Sequence, residues 1–275
     1  MRGSGHIYEL SVMRRARPLA VMMALTATTA VHGVEIAVRY APLNLAVQGV
    51  SRLQATDDAR GTRWFDQNIK SHREPEVSLF VPWRQEMGFE YRNQRFGAVH
   101  QGRIGKTLCT FFGCFIAGSN LLSGYETAEQ IGLNFRNHGL FATYRAENPT
   151  AQESASSYSL GVNWLQGDAT ATGAGFAANQ SGSLPLLGMR ITRQFFLDPT
   201  SAIELVGSPS YYYAKRGSAF LGSLTAAYNH QASKFVRVSI GLEWLTLKLS
   251  YHSESTMFEM RSTRIDPFIQ LHLTP

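Results

Sequence analysis

The sequence predicts an all-β protein: an antiparallel up-and-down transmembrane β-barrel of about 12 strands, with a range of about 10 to 14. Two observations lead to this prediction. Apolar side chains recur at every second position in many separate stretches of the chain. In addition, 24 glycines, 11 tyrosines and 16 phenylalanines among 275 residues suit turns and strands better than helices. With 44% hydrophobic and 17% charged side chains, the chain is expected to fold.

Residues 1 to 33 are predicted to be an upstream extension followed by a secretory signal peptide. The basic run "RRAR" leads into a short apolar stretch that ends at about Val31, and small residues follow. This order is typical of an export signal, with a cut after Gly33 or after Ala30. A buried helix is the alternative interpretation, although the stretch has no amphipathic stripe.

The charge of the chain is reduced once this segment is removed. Residues 1 to 33 contain four arginines and one glutamate, so the net charge falls from +6 to +3. No basic stripe with interleaved aromatic residues is present, and we expect no nucleic-acid partner. No later apolar segment is long enough for a spanning helix, so an exported chain of this kind is soluble or embedded as strands. Residues 34 to 275 are expected to form a single β-barrel domain.

One stretch shows both the alternation and a change in its phase. Apolar residues occupy the even positions from Val236 to Trp244 and the odd positions from Leu245 to Tyr251. A hairpin with an even-numbered loop has this effect, because the residues that flank the loop face the same side. We therefore predict a loop of two or four residues that ends at Thr246. A β-bulge would also change the phase.

Two further stretches carry the same signature. The residues "RNHG" separate an odd-numbered apolar run that ends at Phe135 from an even-numbered run that begins at Leu140. The residues "RNQR" separate Tyr91 from Phe96 in the same way. Both stretches are predicted to be hairpins with four-residue loops. The segment 51–76 breaks the alternation and is predicted to be a long loop or a plug.

The polar face of the strands suggests where the chain resides. In a membrane barrel the apolar face meets lipid and polar side chains fill the interior. The polar phase carries Arg237, Glu243 and Lys248, which are expected to face the lumen. Several alternating runs have the ~9 to 11 residues of a tilted spanning strand and end in aromatic residues that would form interface girdles.

In these features the chain resembles Gram-negative outer-membrane β-barrel proteins as a broad class, over roughly residues 34 to 273. The resemblance implies the bacterial outer membrane as location, with outer-membrane lipids and lipopolysaccharide as partners. Small hydrophilic solutes are possible substrates, protein partners are unknown, and no cofactor is expected. Such proteins usually finish on an aromatic residue, whereas this chain ends "FIQLHLTP".

A possible catalytic group lies near the end of the alternating stretch. Ser250, His252 and Glu254 share one face at a spacing of two residues, about 7 Å apart at the α-carbons. These are the ingredients of a serine esterase. The stretch is similar to outer-membrane lipid A deacylases, which place histidine and serine two residues apart, but the order here is shifted and the following Asn-Ala is missing. Polar strand ends explain the same residues without catalysis.

Cys109 and Cys114 are the only cysteines. In one continuous strand their α-carbons would be about 16 Å apart and on opposite faces, so a disulfide requires a turn between them. An oxidising compartment would favour that disulfide. Two thiols without a nearby histidine pair do not predict a metal site.

The function predicted first is that of an outer-membrane barrel that acts as a narrow channel for small solutes, or as a surface or structural protein. In a channel, Arg237, Glu243 and Lys248 would set the selectivity. The first alternative is a membrane-embedded hydrolase of lipid A or phospholipid acyl esters. The second alternative is a soluble periplasmic β-barrel that binds a ligand.

Overall fold

A computed structural model describes residues 33–41, 46–55, 63–65, 72–84, 86–104, 108–110, 113–115, 128–146, 154–173, 176–252 and 256–274. All but one residue of the predicted extension and signal peptide therefore lies outside the described residues. The described part is β structure with short connections. Its strands are β1 (Glu35–Tyr40), β2 (Ala46–Ala55), β3 (Arg63–Phe65), β4 (His72–Arg73), β5 (Glu76–Pro82), β6 (Met87–Ile104), β7 (Leu108–Thr110), β8 (Gly113–Phe115), β9 (Ala128–Ala146), β10 (Ser154–Gly173), β11 (Phe176–Asp198), β12 (Ser201–Ala214), β13 (Gly217–Ser233), β14 (Val236–His252) and β15 (Thr256–Leu273).

The strands form a closed antiparallel barrel. Neighbours in the sheet follow the chain from β5 through β6, β9, β10, β11, β12, β13 and β14 to β15, and β1 pairs with both β5 and β15. The prediction of an all-β antiparallel barrel is confirmed. Among the described residues the barrel has ten strand positions, fewer than the predicted number of about 12 and at the lower limit of the predicted range of 10 to 14.

Two of the ten positions are built from more than one strand segment. Tyr40 of β1 pairs with Ile269 of β15, and Ala46 of β2 pairs with Ile265 of β15. The strands β1 and β2 therefore pair with successive parts of β15 and together occupy one position of the barrel. The chain then returns through β3, β4 and β5, which pair with β2, β6 and β1. The strands β7 and β8 form a separate two-stranded hairpin.

The strand count was overestimated because the three predicted hairpins do not exist. "RNQR" lies inside β6, "RNHG" lies inside β9, and the predicted loop that ends at Thr246 lies inside β14. Each pair of alternating runs is one long strand. A β-bulge does not explain the change of phase in β14 either, because the pairing with β13 and β15 is continuous through this stretch.

The change of phase in β14 is a change in what each face of the strand contacts. Trp244 points out of the barrel and is 48% exposed, and Lys248 on the same face is also exposed. Leu245 and Leu247 on the other face point inward and are 3% and 2% exposed. The pleat continues unchanged. Below Trp244 the outer face is apolar and the inner face is polar, and above Trp244 the arrangement is reversed.

The same reversal occurs at a similar height on other strands. On β10, Trp164 is exposed on the outer face, whereas Leu165 is buried inside and Asp168 is exposed outside. On β9, Phe135 is buried inside and Arg136 is exposed outside. One end of the barrel is where β1 begins and β15 ends. We call the part between this end and the level of Trp164 and Trp244 the lower barrel. The part beyond that level is the upper barrel.

The outer face of the lower barrel exposes large apolar side chains on every strand from β9 to β15. We call this surface the apolar belt; its exposed members include Leu140, Leu160, Val162, Leu187, Met189, Ile191, Ile203, Leu205, Leu224, Ile240, Leu242 and Ile269, with the aromatic residues Tyr144, Tyr158, Trp164, Tyr228 and Trp244. The strands extend well past this belt. β10 and β11 have 20 and 23 residues, about twice the ~9 to 11 that a tilted strand needs to cross a bilayer.

Within the described residues, no helix has the length and apolar character needed to cross a membrane. The segment 51–76, which was predicted to be a loop or plug, contributes strand residues at 51–55, 63–65 and 72–73. Its residues 56–62 and 66–71 lie outside the described ranges, and a plug formed by them stays a prediction.

Candidate functional site in the barrel interior

Polar side chains inside the lower barrel are joined in a series of hydrogen bonds that crosses the sheet. Gln94 Nε2 donates to Glu76 Oε2 at 3.0 Å, and Asn137 Nδ2 donates to Gln94 Oε1 at 3.2 Å and to Asn163 Oδ1 at 3.1 Å. Asn163 Nδ2 in turn donates to Ser210 Oγ at 2.6 Å. All five side chains are buried. We call this series the polar belt; it connects β5, β6, β9, β10 and β12.

Gly188 allows the polar belt to pass over β11. This strand lies between β10 and β12, and Asn163 must reach across it to meet Ser210. A Cβ atom at Gly188 would lie 2.7 Å from Ser210 Oγ and 2.8 Å from Asn163 Nδ2, which is closer than such atoms pack. The absence of a side chain at this position is therefore what lets the two polar groups bond.

A cluster of buried charges continues the belt across the closure of the barrel. Arg39 Nη1 lies 3.2 Å from Glu243 Oε1 and 3.9 Å from Glu76 Oε2, and Arg92 Nη2 lies 2.5 Å from Glu76 Oε1. These four side chains are at most 8% exposed. Two cations and two anions balance each other. Because buried charges without counter-charges are very unfavourable, the four groups depend on one another.

A second buried pair lies beside Glu243. Glu243 and Asp266 are directly opposite each other on β14 and β15, and both are fully buried. Arg264 Nε donates to Asp266 Oδ2 at 2.7 Å. The two adjacent carboxylates are thus accompanied by two guanidinium groups, those of Arg39 and Arg264, which offset their mutual repulsion.

The interior of the upper barrel is apolar. Its buried side chains include Phe96, Phe135, Leu165, Leu184, Leu186, Leu221, Leu245, Leu247, Leu249 and Met260. Together with the polar belt and the charge cluster, they fill the described part of the barrel at mid-height. Glu243, Asp266, Leu165 and Leu186 have no exposed surface at all.

A cavity of about 680 Å³ lies below the charge cluster, at the end of the barrel where β1 begins and β15 ends. Ion pairs line it: Arg145 Nη1 and Nη2 donate to the carboxylate of Glu35 at 2.7 and 2.9 Å, and Arg190 donates to Glu90. Arg237, which also lines the cavity, lies 3.1 Å from the Nδ1 atom of His272. This cavity is a polar vestibule that ends at the filled middle of the barrel.

The three residues predicted to face the lumen are separated by the structure. Arg237 lines the vestibule and Glu243 lies in the charge cluster, so both are interior residues. Lys248 is on the outer face, with Nζ 6.0 Å from the centre of the Phe220 ring, which corrects its predicted position. The error arose because the polar phase above Trp244 faces outward. Sequence alternation alone does not reveal that reversal.

The candidate catalytic residues lie on the outer face near the top of β14. Ser250 is partly exposed and pairs in register with Ser218 and Glu259, and His252 is exposed. Glu254 lies outside the described residues. Ser250 and His252 do share a face, but that face is the outside of the upper barrel, and neither residue lines the vestibule. Their catalytic role stays a prediction.

The two cysteines are brought together by the hairpin of β7 and β8. Cys109 and Cys114 are directly opposite each other in its backbone register. Opposite residues of an antiparallel pair have α-carbons about 4.5 to 5.5 Å apart, within the range that a disulfide tolerates. The chain thus reverses direction between β7 and β8, as a disulfide requires, and the bond itself stays a prediction.

Most charged and polar residues of the barrel interior were not identified from the sequence. Glu90, Arg92 and Gln94 alternate with outward residues on β6, a period of two that a predicted loop at "RNQR" concealed. Arg39 gave no local signal. It reaches Glu243 only because the first and last strands of the barrel are neighbours.

No protein-family model matches the chain, and no curated protein matches it. Solved structures that resemble it include the outer-membrane protease OmpT from Escherichia coli, with 9% identity, a TM-score of 0.49 and coverage of 88% of this chain and 97% of that chain. The outer-membrane protein OprG from Pseudomonas aeruginosa has 9% identity, a TM-score of 0.34 and coverage of 89% and 96%. The translocator domain of the autotransporter NalP from Neisseria meningitidis has 9% identity, a TM-score of 0.35 and coverage of 96% and 95%.

These similarities are confined to general architecture. The description of a lower barrel with an apolar exterior and a charged interior rests on this chain's own strand pairing and side-chain placement. A closed antiparallel sheet surrounds buried charges in its lower half and exposes large apolar side chains there. In this architecture the chain resembles Gram-negative outer-membrane β-barrel proteins as a broad class, and no specific family is identified.

Proposed function

We propose that the chain is an outer-membrane β-barrel that is closed at mid-height and acts as a surface or structural protein rather than as an open channel. The observation that carries this proposal is the reversal of the two faces at the level of Trp164 and Trp244. Below this level the barrel has an apolar exterior and an ionic interior, which is the arrangement expected in lipid. Above it the barrel has a polar exterior and an apolar interior, which is the arrangement expected in water.

The apolar belt argues against a soluble periplasmic barrel. Soluble monomers seldom expose contiguous apolar patches larger than a few hundred Å². Here Leu160, Leu187 and Ile240 are 63%, 67% and 58% exposed, and they belong to the apolar belt, which extends over the strands from β9 to β15. Water would be a poor solvent for this surface, whereas the hydrocarbon core of a membrane removes the penalty.

The filled interior argues for a surface or structural role over conduction. A solute would have to pass Glu243, Asp266 and Arg39, which are at most 5% exposed and held by ion pairs. Beyond them it would have to cross the leucine-rich interior of the upper barrel. Ions are costly to move through such an apolar layer.

Two measurements test the proposal. Membrane fractionation should recover the protein with the outer membrane, and recovery in the soluble periplasm would contradict the proposal. In planar bilayers the inserted wild-type protein should give no steady conductance. Stable ohmic currents would show an open channel and would overturn the closed-barrel assignment.

A matched variant tests whether the charge cluster is the part of the interior that blocks passage through the barrel. The double variant Arg39→Ala/Glu243→Ala removes one cation and one anion together, so that the cluster stays balanced. We expect brief openings to become more frequent in the double variant than in the wild type. An equal frequency in both proteins would place the closure in the upper barrel instead.

A further inference from the structure

Two pairs of neighbouring strands carry the same sequence of side chains on the outer face as the apolar belt gives way to the upper barrel. On β14 and β15 three successive cross-strand pairs follow the order apolar, neutral polar and cationic. The pairs are Trp244 with Ile265, Thr246 with Thr263, and Lys248 with Arg261. The Oγ1 atoms of the two threonines are 3.1 Å apart, and the two cations above them are exposed.

The second example lies on β6 and β9. Its successive pairs are Tyr91 with Leu140, Asn93 with His138, and Arg95 with Arg136. The hydroxyl of Tyr91 lies 2.8 Å from the Nδ1 atom of His138, so a hydrogen bond connects the neutral pair to the apolar pair below it. The two examples occupy the third and fourth and the ninth and tenth positions of the closed barrel, so two strand positions lie between them on one side and four on the other.

Like charges directly opposite each other on a sheet are destabilising. The nearby carboxylates offset this only in part. Glu74 lies 2.9 Å from Arg95 Nη1, which leaves Arg136 without a carboxylate partner among the described residues. Glu259 lies on the outer face two residues from Arg261, but no ion pair joins it to Arg261 or Lys248 in the described structure. Each pair therefore has spare positive charge.

The height of the cations identifies the surroundings they meet. Each step from one outward pair to the next is about 6.8 Å along the strand, or about 5 Å in height at a tilt near 45°. His138 is opposite Trp164, so Arg136 lies one step, about 5 Å, above the end of the apolar belt, whereas Lys248 lies two steps, about 10 Å, above Trp244. The first position is within the head-group layer of a bilayer, which is roughly 5 to 7.5 Å thick, and the second is just beyond its outer edge. They are on the side of the longest connection, 105–127, which is the extracellular side of such barrels.

We propose that these two cationic pairs bind the phosphate groups of lipid A in the lipopolysaccharide of the outer leaflet. The inference rests on the proposed membrane location. Arg261 and Arg136 can hold a phosphate with two parallel hydrogen bonds, and Lys248 adds a compact charge beside Arg261. The long side chains reach down to the head groups while their stems cover apolar surface. A bound phosphate converts each repulsive pair into a bridged one.

Binding of purified lipopolysaccharide to the folded protein in a neutral detergent tests this inference. The wild-type protein is titrated with intact lipopolysaccharide, with the same lipid after enzymatic removal of its phosphates, and with inorganic phosphate alone. We expect the intact lipid to bind at least tenfold more tightly than the dephosphorylated lipid. The variant Lys248→Gln/Arg261→Gln removes one of the two cationic pairs and should therefore halve the number of intact lipid molecules that each barrel binds tightly.

The variant Arg84→Gln/Lys234→Gln is the matched control. It also removes one arginine and one lysine, both exposed and both close to aromatic rings, but at the opposite end of the barrel. We expect it to bind like the wild type. Equal affinity for the intact and dephosphorylated lipids would overturn the inference, as would equal losses in the two double variants or tight binding of inorganic phosphate alone.

A separate insertion assay distinguishes this failure from failure of the proposed function. Folding of the wild-type chain into uncharged phosphatidylcholine vesicles depends on the apolar belt and not on the cationic pairs. Insertion there without discrimination between the two lipids would reject only the lipid A sites. Absence of insertion would reject the membrane location and, with it, the inference.

Discussion

The lower and upper halves of β14 carry opposite kinds of side chain on their inner and outer faces, although they belong to one uninterrupted strand. From Val236 to Trp244 the outward residues are apolar and the inward residues include the fully buried Glu243. From Leu245 to Leu249 the inward residues are leucines and the outward residues are Thr246 and Lys248. The pleat of the strand therefore continues while apolar and polar side chains exchange faces, because each half is matched to a different solvent.

The two halves also hold their interiors together differently. The lower barrel uses hydrogen bonds and ion pairs, whose partners come from distant parts of the chain, as Arg39 and Gln270 do at 2.8 Å. The upper barrel uses close packing of aliphatic side chains. Removal of one member should therefore be most harmful in the lower barrel, where a buried charge loses a counter-charge.

The largest expected effect is that of Glu243→Ala. The change deprives the Arg39 guanidinium of a carboxylate at 3.2 Å inside the barrel, and we expect a loss of about 3 to 5 kcal/mol in the free energy of unfolding. Urea unfolding in lipid vesicles measures it. Glu86→Ala, which alters an exposed carboxylate in the turn before β6, is the control and should change stability by no more than about 0.5 kcal/mol. Similar losses in both variants would contradict the charge cluster.

Leu247→Ala probes the apolar interior of the upper barrel. Leu247 is 2% exposed, and truncation of a buried leucine costs about 2 to 5 kcal/mol. The neighbouring Lys248→Ala alters the outer face of the same strand and should cost less than about 0.5 kcal/mol in detergent. If the lysine variant were the less stable of the two, the assigned directions of these side chains would be reversed.

Arginine substitutions on the outer face sharpen the comparison between the halves. Ile240→Arg places a cation about 10 Å below Trp244, near the middle of the apolar belt, and is expected to cost about 2 to 4 kcal/mol in lipid vesicles. Thr246→Arg places the same cation on the same face, just above Trp244, and is expected to cost about 1 kcal/mol or less. The stability difference should shrink in a neutral detergent. Equal costs in vesicles would mean that the membrane boundary does not lie at Trp244.

A smaller effect is expected from Gly188→Ala. The added methyl group would lie within 2.8 Å of the polar atoms of Asn163 and Ser210, so the bond between them must lengthen or break. We expect a loss of about 1 to 3 kcal/mol. Gly207→Ala on the neighbouring strand β12 is the control, because a Cβ atom there meets no heavy atom within 4 Å. A harmless Gly188→Ala would show that the polar belt tolerates displacement at this point.

The alternation of apolar and polar residues predicted much of the barrel. It predicted β structure throughout, outward apolar residues such as Leu242 and the interior position of Glu243. It failed wherever the two faces exchange their character, and there it produced false hairpins at "RNQR" and "RNHG" and the wrong direction for Lys248. A period of two reports that a strand has two faces, but it does not report what lies beyond each face.

The sequence by itself determined that the chain forms long antiparallel strands with one apolar and one polar side, because this follows from the local period of its side chains. Only the tertiary structure decided that ten strand positions close the barrel, that Arg39 meets Glu243, and that the faces reverse at Trp164 and Trp244. The physical reason is distance along the chain and height along the barrel axis. Closure joins residues more than 200 positions apart, and the solvent at each residue depends on its height, which register and closure set together.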